Sequence, residues 1–213
     1  TEEQVQALRE SMGLNDPMHV QFGRFISDLA RGDFGDSLWQ RVPALPIVLE
    51  RVPATLYLAG VTLVIAFPLA VLLGIISAVR PRSIWDRIVT IVSLGGVSTA
   101  DFWIGLMLIL FFAVQLGWLP TSGYGGLQYV VLPAIALSLR PMGRISQVVR
   151  SAMLDEMSKQ YMVTARAKGL KERTVVTAHA LKNAFIPVIT LGGDEAAALL
   201  NGAVVIETLF GWP

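Results

Sequence analysis

The sequence has 213 residues, a formal net charge of +1, no cysteine and a mean hydropathy of +0.59. Hydrophobic residues make up 54% and charged residues 15%, whereas an average soluble domain is about 25% charged. The near-neutral charge argues against nucleic-acid binding, and without cysteine there is no disulfide framework and no thiolate metal site. Composition therefore indicates a membrane protein.

The first 53 residues form a polar head with eight acidic residues and five arginines. Apolar residues at helical spacing predict one short helix over residues 5–12 and a second helix after Pro17. The second helix has one apolar face, which is formed by Phe22, Phe25, Ile26 and Leu29. This face either lies on the membrane domain of the same chain or docks a partner.

Two long stretches after the head contain no Asp, Glu, Lys or Arg, namely residues 52–79 and 102–139. A helix needs about 20 apolar residues to cross a bilayer. The second stretch is too long for one crossing and is interrupted by glycine and proline, so it is expected to form parts of two spans. We predict four spans, over residues 54–79, 88–117, 128–146 and 183–205, the second of them broken near residues 95–99.

Basic residues are concentrated in two regions of the chain. Three of the 17 Lys and Arg residues lie in residues 80–87 and nine in residues 140–182, whereas the turn at 118–127 and the last 13 residues have none. Basic loops stay on the cytoplasmic side of a membrane. The predicted topology is cytoplasmic for 80–87 and 147–182, and extracytoplasmic for the head, 1–53, and for 202–213.

Two adjacent acids, Asp194 and Glu195, fall near the middle of the fourth predicted span, where a carboxylate that faced lipid would cost a few kcal/mol. Either they line a translocation path, or they pair with arginines of the bundle such as Arg140 or Arg144, or they lie at a subunit contact. The candidate path residues are Asp101, Asp194, Glu195 and Asn201.

The basic segment 150–182 is predicted to form two short helices joined at Gly169, a residue suited to the left-handed turn that ends a helix. Small side chains before this glycine would allow the first helix to enter a narrow groove on a partner. The candidate docking residues are Thr164, Ala165, Arg166, Ala167, Lys168, Gly169 and Leu170. A loop that only lies at the membrane interface is the alternative.

Six motifs are spread along nearly the whole chain. They are GDFGDS at 32–37, ERVPATL at 50–56, LGWLPTSGY at 116–124, TARAKGL at 164–170, HALKNAFIPV at 179–188 and ETLFGWP at 207–213. In this order and spacing they resemble the permease subunits of bacterial ABC importers, and among these the dipeptide, oligopeptide and nickel branch.

The resemblance implies an all-α membrane protein with the fold of a type I ABC importer transmembrane domain, here without the outer first and last spans of family members. It implies a transport subunit rather than an enzyme, which imports peptides or similar small solutes and docks an ATPase through residues 161–183. The implied partners are a second homologous permease, two ATPase subunits and an extracytoplasmic solute-binding protein. The sequence has no G-x-x-x-x-G-K-[ST] phosphate loop, so ATP is expected on the ATPase, and no cofactor, metal or catalytic residue is expected in this chain.

The sequence departs from the family pattern at several positions. Val163 stands where the wider family has an acid, and Glu172 is a candidate substitute for it. Asp101 and the pair Asp194-Glu195 stand where small or apolar residues are more usual. A membrane channel or scaffold module remains an alternative. An intramembrane enzyme is disfavoured, because adjacent helical residues point about 100° apart and make a poor shared site.

Overall fold

The computed structural model describes Gln6, Arg9 and residues 15–37 and 42–213. The chain divides into two compact units, residues 1–53 and residues 54–213. Every regular element of the described residues is a helix, apart from one isolated bridge between Asp36 and Pro43. The prediction of an all-α protein is thus confirmed for this part of the chain.

The first unit contains helix α1, Met18–Ala30, which begins directly after Pro17. Arg24 pairs with the Asp16 carboxylate at 2.9 Å, which ties the helix to the segment that precedes it. The helix ends at Ala30, and Gly32, just beyond it, has a φ of +78°, the left-handed conformation that commonly follows a helix. The four residues of the predicted apolar face are exposed. Within the helix predicted over residues 5–12 the structure describes only Gln6 and Arg9, and both are helical.

Helix α2, Ala44–Val79, starts before the residue 54 predicted from the uncharged stretch, and its residues from Ala54 onward belong to the second unit. Its buried residues are mostly small: Ala54, Ala59, Ala66, Ala70, Gly74, Ser77 and Ala78. Small side chains allow helices to approach closely in a membrane. At Gly74 the approach is tight, because an added Cβ would lie 2.5 Å from the Cβ of Val149.

The second predicted span is a bent pair of helices. Helix α3, Ile84–Ser98, is followed by helix α4, Asp101–Leu108, which continues as a π-helix over Ile109–Gln115, and the pair bends by 102°. At the bend the hydroxyl of Thr99 donates to the carbonyl of Gly95 at 2.7 Å. The break therefore lies where glycine and hydroxyl residues predicted it.

The central element is helix α5, Leu127–Met157, which packs against α3, α4 and the later helices. It crosses α3 so closely that a Cβ at Gly143 would lie 2.5 Å from the carbonyl oxygen of Ser93. After α5 come helix α6, Gln160–Ala167, helix α7, Glu172–Thr174, a π-helix over Val175–Leu181, helix α8, Lys182–Gly202, and helix α9, Val204–Phe210.

Among the described residues, α2 and the continuous helix Glu172–Asn201 are each long and apolar enough to cross a membrane, and the bent pair makes a third candidate if it counts as one span. The predicted span 128–146 lies inside α5, which is more polar because it carries Arg140 and Arg144. A helix surrounded by other helices does not face lipid, so it does not need an uninterrupted apolar surface.

Candidate functional site

The loop predicted to be cytoplasmic is a compact helical hairpin rather than an irregular connection. Helix α6 ends at Ala167, and Gly169, two residues later, has a φ of +78° and donates its N–H to the carbonyl of Arg166 at 2.9 Å. The chain then turns and re-enters a helix at Glu172. The guanidinium of Arg166 donates to both carboxylate oxygens of Glu172, at 3.1 and 2.9 Å, and so closes the hairpin.

A second set of contacts fixes this hairpin to the helices on either side. Glu156, near the end of α5, accepts from the ammonium of Lys159 and from the hydroxyl of Tyr161, each at 2.5 Å. Asn183, at the start of α8, donates to the same hydroxyl at 2.9 Å. The Lys159 ammonium holds the pKa of the Glu156 carboxyl below its usual range, and the Tyr161 hydrogen bond acts in the same direction. The carboxylate therefore stays charged at neutral pH.

One face of the hairpin is buried against the membrane helices. Met162 and Val175 are fully buried beside Val149 and Met153, and Ala165 is 7% exposed. The other face is exposed, and it carries six of the seven candidate docking residues. We call this set the docking face: Thr164, Arg166, Ala167, Lys168, Gly169 and Leu170. The seventh candidate, Ala165, points into the chain itself.

The candidate path residues fall into two groups. Glu195 is 2% exposed and pairs with Arg144 of α5. Glu195 and Asp101 also line a cavity of about 20 Å³ together with Arg140. One buried oxygen of Asp101 has no hydrogen-bond partner among the described residues. The pairing with bundle arginines, one of the alternatives left open by the sequence, therefore holds for Glu195.

Asp194 and Asn201 lie on a different side of α8, where both are exposed. The amide of Asn201 donates to the carbonyl of Ala197 at 3.2 Å. Because adjacent helical residues point about 100° apart, the burial of Glu195 turns Asp194 outward. The four candidates are thus not one site: Asp101 and Glu195 face the interior, and Asp194 and Asn201 face outward from this chain.

An ionic junction at the end of the bundle that is predicted to be cytoplasmic was not identified from the sequence. Asp86, in the first turn of α3, is buried and accepts from two guanidinium nitrogens of Arg150, Nε at 2.7 Å and Nη2 at 2.9 Å. The hydroxyl of Ser77 and the backbone N–H of Arg82, the latter at 2.8 Å, donate to the same carboxylate. We call this set the Asp86 junction: Asp86, Ser77, Arg82 and Arg150.

The Asp86 junction links three helices, because Ser77 lies in the last turn of α2, Asp86 in the first turn of α3, and Arg150 on α5 shortly before the hairpin. One local sequence pattern pointed to Asp86. Ser83 followed three residues later by Asp86 is a capping pattern, and the Ser83 hydroxyl does accept from the Asp86 N–H. Nothing local pointed to Arg150, which is 64 residues away.

Several known transport proteins are similar in sequence to this chain. Residues 70–213 match the family described as the binding-protein-dependent transport system inner membrane component. The oligopeptide transport system permease protein AppB of Bacillus subtilis (strain 168) is 37% identical over 215 residues, which cover 96% of this chain and 68% of AppB. The glutathione transport system permease protein GsiC is 39% identical in Salmonella paratyphi A and 38% identical in Escherichia coli (strain K12), in both cases over 98% of this chain and 68% of GsiC.

Proposed function

Because this chain belongs to the family of binding-protein-dependent transport system inner membrane components, we propose that it docks an ATPase subunit through the hairpin of residues 161–183. The chain is a membrane-spanning permease subunit of a binding-protein-dependent ABC importer. Its own role in the cycle is mechanical: the ATPase moves the hairpin, and the hairpin moves the membrane helices.

The observation that carries the proposal is the division of the hairpin into a buried and an exposed face. The buried face, with Met162 and Val175, joins the hairpin to the core that also contains Val149 of α5. The docking face combines small side chains, which fit a groove, with cations around it. A rigid lever needs these properties, because a flexible loop would absorb the movement of the ATPase instead of passing it to the helices.

Ala165 takes an indirect part in this arrangement. Since it is buried, it would support the docking face from inside rather than touch the ATPase. Glu172 would likewise act within the hairpin, because its carboxylate is engaged by Arg166. The wider family has an acid where this chain has Val163. Glu172 therefore does not replace that acid on the docking face.

ATP is proposed to bind only to the ATPase partner, since the sequence contains no G-x-x-x-x-G-K-[ST] loop. We propose that a second homologous permease completes the membrane pathway, that two ATPases drive it, and that an extracytoplasmic solute-binding protein delivers the solute. The proposed topology leaves the head and residues 202–213 on the side of the binding protein.

The proposed solute is a peptide or a similar small molecule, because the relatives are named as oligopeptide and glutathione permeases. Asp194 is the best candidate for a pathway carboxylate, since it is exposed whereas Glu195 is paired with Arg144. In the assembled permease pair Asp194 would favour solutes with a cationic group, such as a peptide amino terminus.

The docking proposal is tested by replacing Gly169 with valine. No atom lies within 4 Å of a Cβ added there, so the only structural cost is the left-handed backbone, which disfavours a side chain by about 1–2 kcal/mol. Valine should therefore reduce ATPase binding by roughly 5- to 30-fold, and it should lower solute uptake in proteoliposomes. Gly169→Asn is the matched control, because asparagine adopts this conformation more readily.

Both variants should insert and purify like the unaltered protein, since Gly169 is exposed. ATPase binding is measured by co-purification, and uptake is measured in proteoliposomes that contain the ATPases and the binding protein. A valine variant that binds its ATPases and transports normally would show that the hairpin is not the docking element.

A further inference from the structure

A large apolar groove lies at the end of α2, on the predicted cytoplasmic side of the membrane. It has a volume of about 510 Å³, and the described residues that line it are Ile75, Ile76, Val79, Arg80 and Trp85. Three of these are aliphatic residues of the last turns of α2, and Trp85 lies in the first turn of α3. Its indole is 54% exposed. Tryptophan is favoured at the boundary between hydrocarbon and headgroups.

Positive charge is concentrated at and near this groove: Arg80 lines it, Arg82 lies in the turn that follows, and Arg87 lies in the first turn of α3. Arg80, Arg82 and Arg87 are all exposed, and among the described residues none of their side chains forms an ion pair. The acid nearest in sequence, Asp86, is buried and occupied by Arg150. The turn between α2 and α3 and the first turn of α3 therefore carry three arginines that form no ion pair with any described residue.

We propose that this groove binds an anionic phospholipid of the cytoplasmic leaflet, with one acyl chain along its aliphatic wall and the phosphate against Arg80, while Arg82 and Arg87 add positive charge nearby. An acyl chain explains the apolar wall and a phosphate explains the uncompensated arginines. A soluble phosphate would use only the rim and leave the apolar wall exposed to water. Basic pockets beside cytoplasmic helix ends are suited to anionic headgroups.

A lipid bound in this groove would also affect the turn between α2 and α3. The same turn holds Arg82, whose backbone N–H belongs to the Asp86 junction, so the lipid would lie directly beside the contact that joins α2, α3 and α5. An anionic headgroup would hold the turn in place by neutralising its repelling charges. This inference rests on the membrane location of the chain and does not depend on the proposed docking of an ATPase.

The test uses the full chain in nanodiscs that contain equal amounts of phosphatidylcholine and phosphatidylglycerol, followed by native mass spectrometry of the released protein. We expect one phosphatidylglycerol to be retained in preference to phosphatidylcholine. The combined variant R80Q/R82Q/R87Q should bind phosphatidylglycerol on the order of 100-fold more weakly, since each arginine near an anionic surface contributes about a fivefold effect.

The matched control is K168Q/K171Q/R173Q, which removes three exposed charges from the cytoplasmic hairpin and should retain the lipid. Trp85→Ala tests the wall of the groove and should weaken retention with all arginines present. Glycerol phosphate, which has the charge but no acyl chain, should not displace the lipid. Equal loss in the two triple variants, unchanged binding in R80Q/R82Q/R87Q, or equal retention of phosphatidylcholine would overturn the proposal.

Discussion

The Asp86 junction makes a sharp prediction about stability, which Asp86→Asn tests. Asparagine has nearly the same shape as aspartate, but it has no charge and only one accepting oxygen. The carboxylate accepts from Ser77, from the Arg82 N–H and from two nitrogens of Arg150. In the variant the amide NH₂ must face a donor, and the guanidinium loses its partner.

The expected size of the effect follows from burial. Removing one member of a buried ion pair costs about 3–5 kcal/mol when the other charge stays in the interior. The side chain of Asp86 is 6% exposed but that of Arg150 is 32% exposed, so the arginine can reach water after the change. We therefore expect Asp86→Asn to lower the free energy of unfolding by roughly 2–3 kcal/mol.

The measurement is unfolding of the purified chain in detergent by increasing fractions of sodium dodecyl sulfate, followed by circular dichroism. Asp155→Asn is the matched control, because it removes the same charge from an exposed position on α5 and should cost less than about 0.5 kcal/mol. In a double-mutant cycle with Arg150→Gln, the two changes should be non-additive by about 1–3 kcal/mol. Additive effects, or equal stability of the Asp86 and Asp155 variants, would refute the reasoning.

Two further predictions concern the membrane helices and their orientation. Glu195→Gln breaks the pair with Arg144 and should lower both stability and the uptake of all solutes. Asp194→Asn should leave unfolding unchanged and lower only the uptake of cationic solutes. The same unfolding assay and uptake into vesicles measure these effects, and identical behaviour of the two variants would contradict the prediction. Thr208→Cys should react with an impermeant thiol reagent added from the extracytoplasmic side, whereas Lys171→Cys should not, because the basic loops are predicted to be cytoplasmic. The label is specific because the sequence has no other cysteine. The opposite labelling pattern would reverse the predicted topology.

Features that depend on neighbouring residues in the chain were predicted from the sequence. The uncharged stretch ending at Val79 corresponds to helix α2, although the helix begins earlier, at Ala44. The break near residues 95–99 and the turn at Gly169 are where glycine indicated them. These features follow from hydrophobic length and from backbone freedom, both of which are properties of a short segment.

Which side chains lie inside the bundle was decided only by the tertiary structure. Ala165 and its exposed neighbours have the same small-residue pattern, yet the packing of α6 on the core buries Ala165 alone among the docking candidates. Asp194 and Glu195 are adjacent and both acidic, and the rotation of α8 against α5 brings only Glu195 to Arg144. The helical period separates two such neighbours, but the period alone does not say which one faces inward.

Contacts between residues far apart in the chain were likewise beyond the sequence. The capping pattern at Ser83 explains why Asp86 lies in the first turn of α3. The pattern does not say whether the carboxylate is buried or exposed to solvent. The close crossing of α3 and α5, which Gly143 allows, brings the two helices together on the side from which Arg150 reaches Asp86. An ion pair across 64 residues depends on how the helices cross, and helix crossing is a property of the packed bundle rather than of any segment.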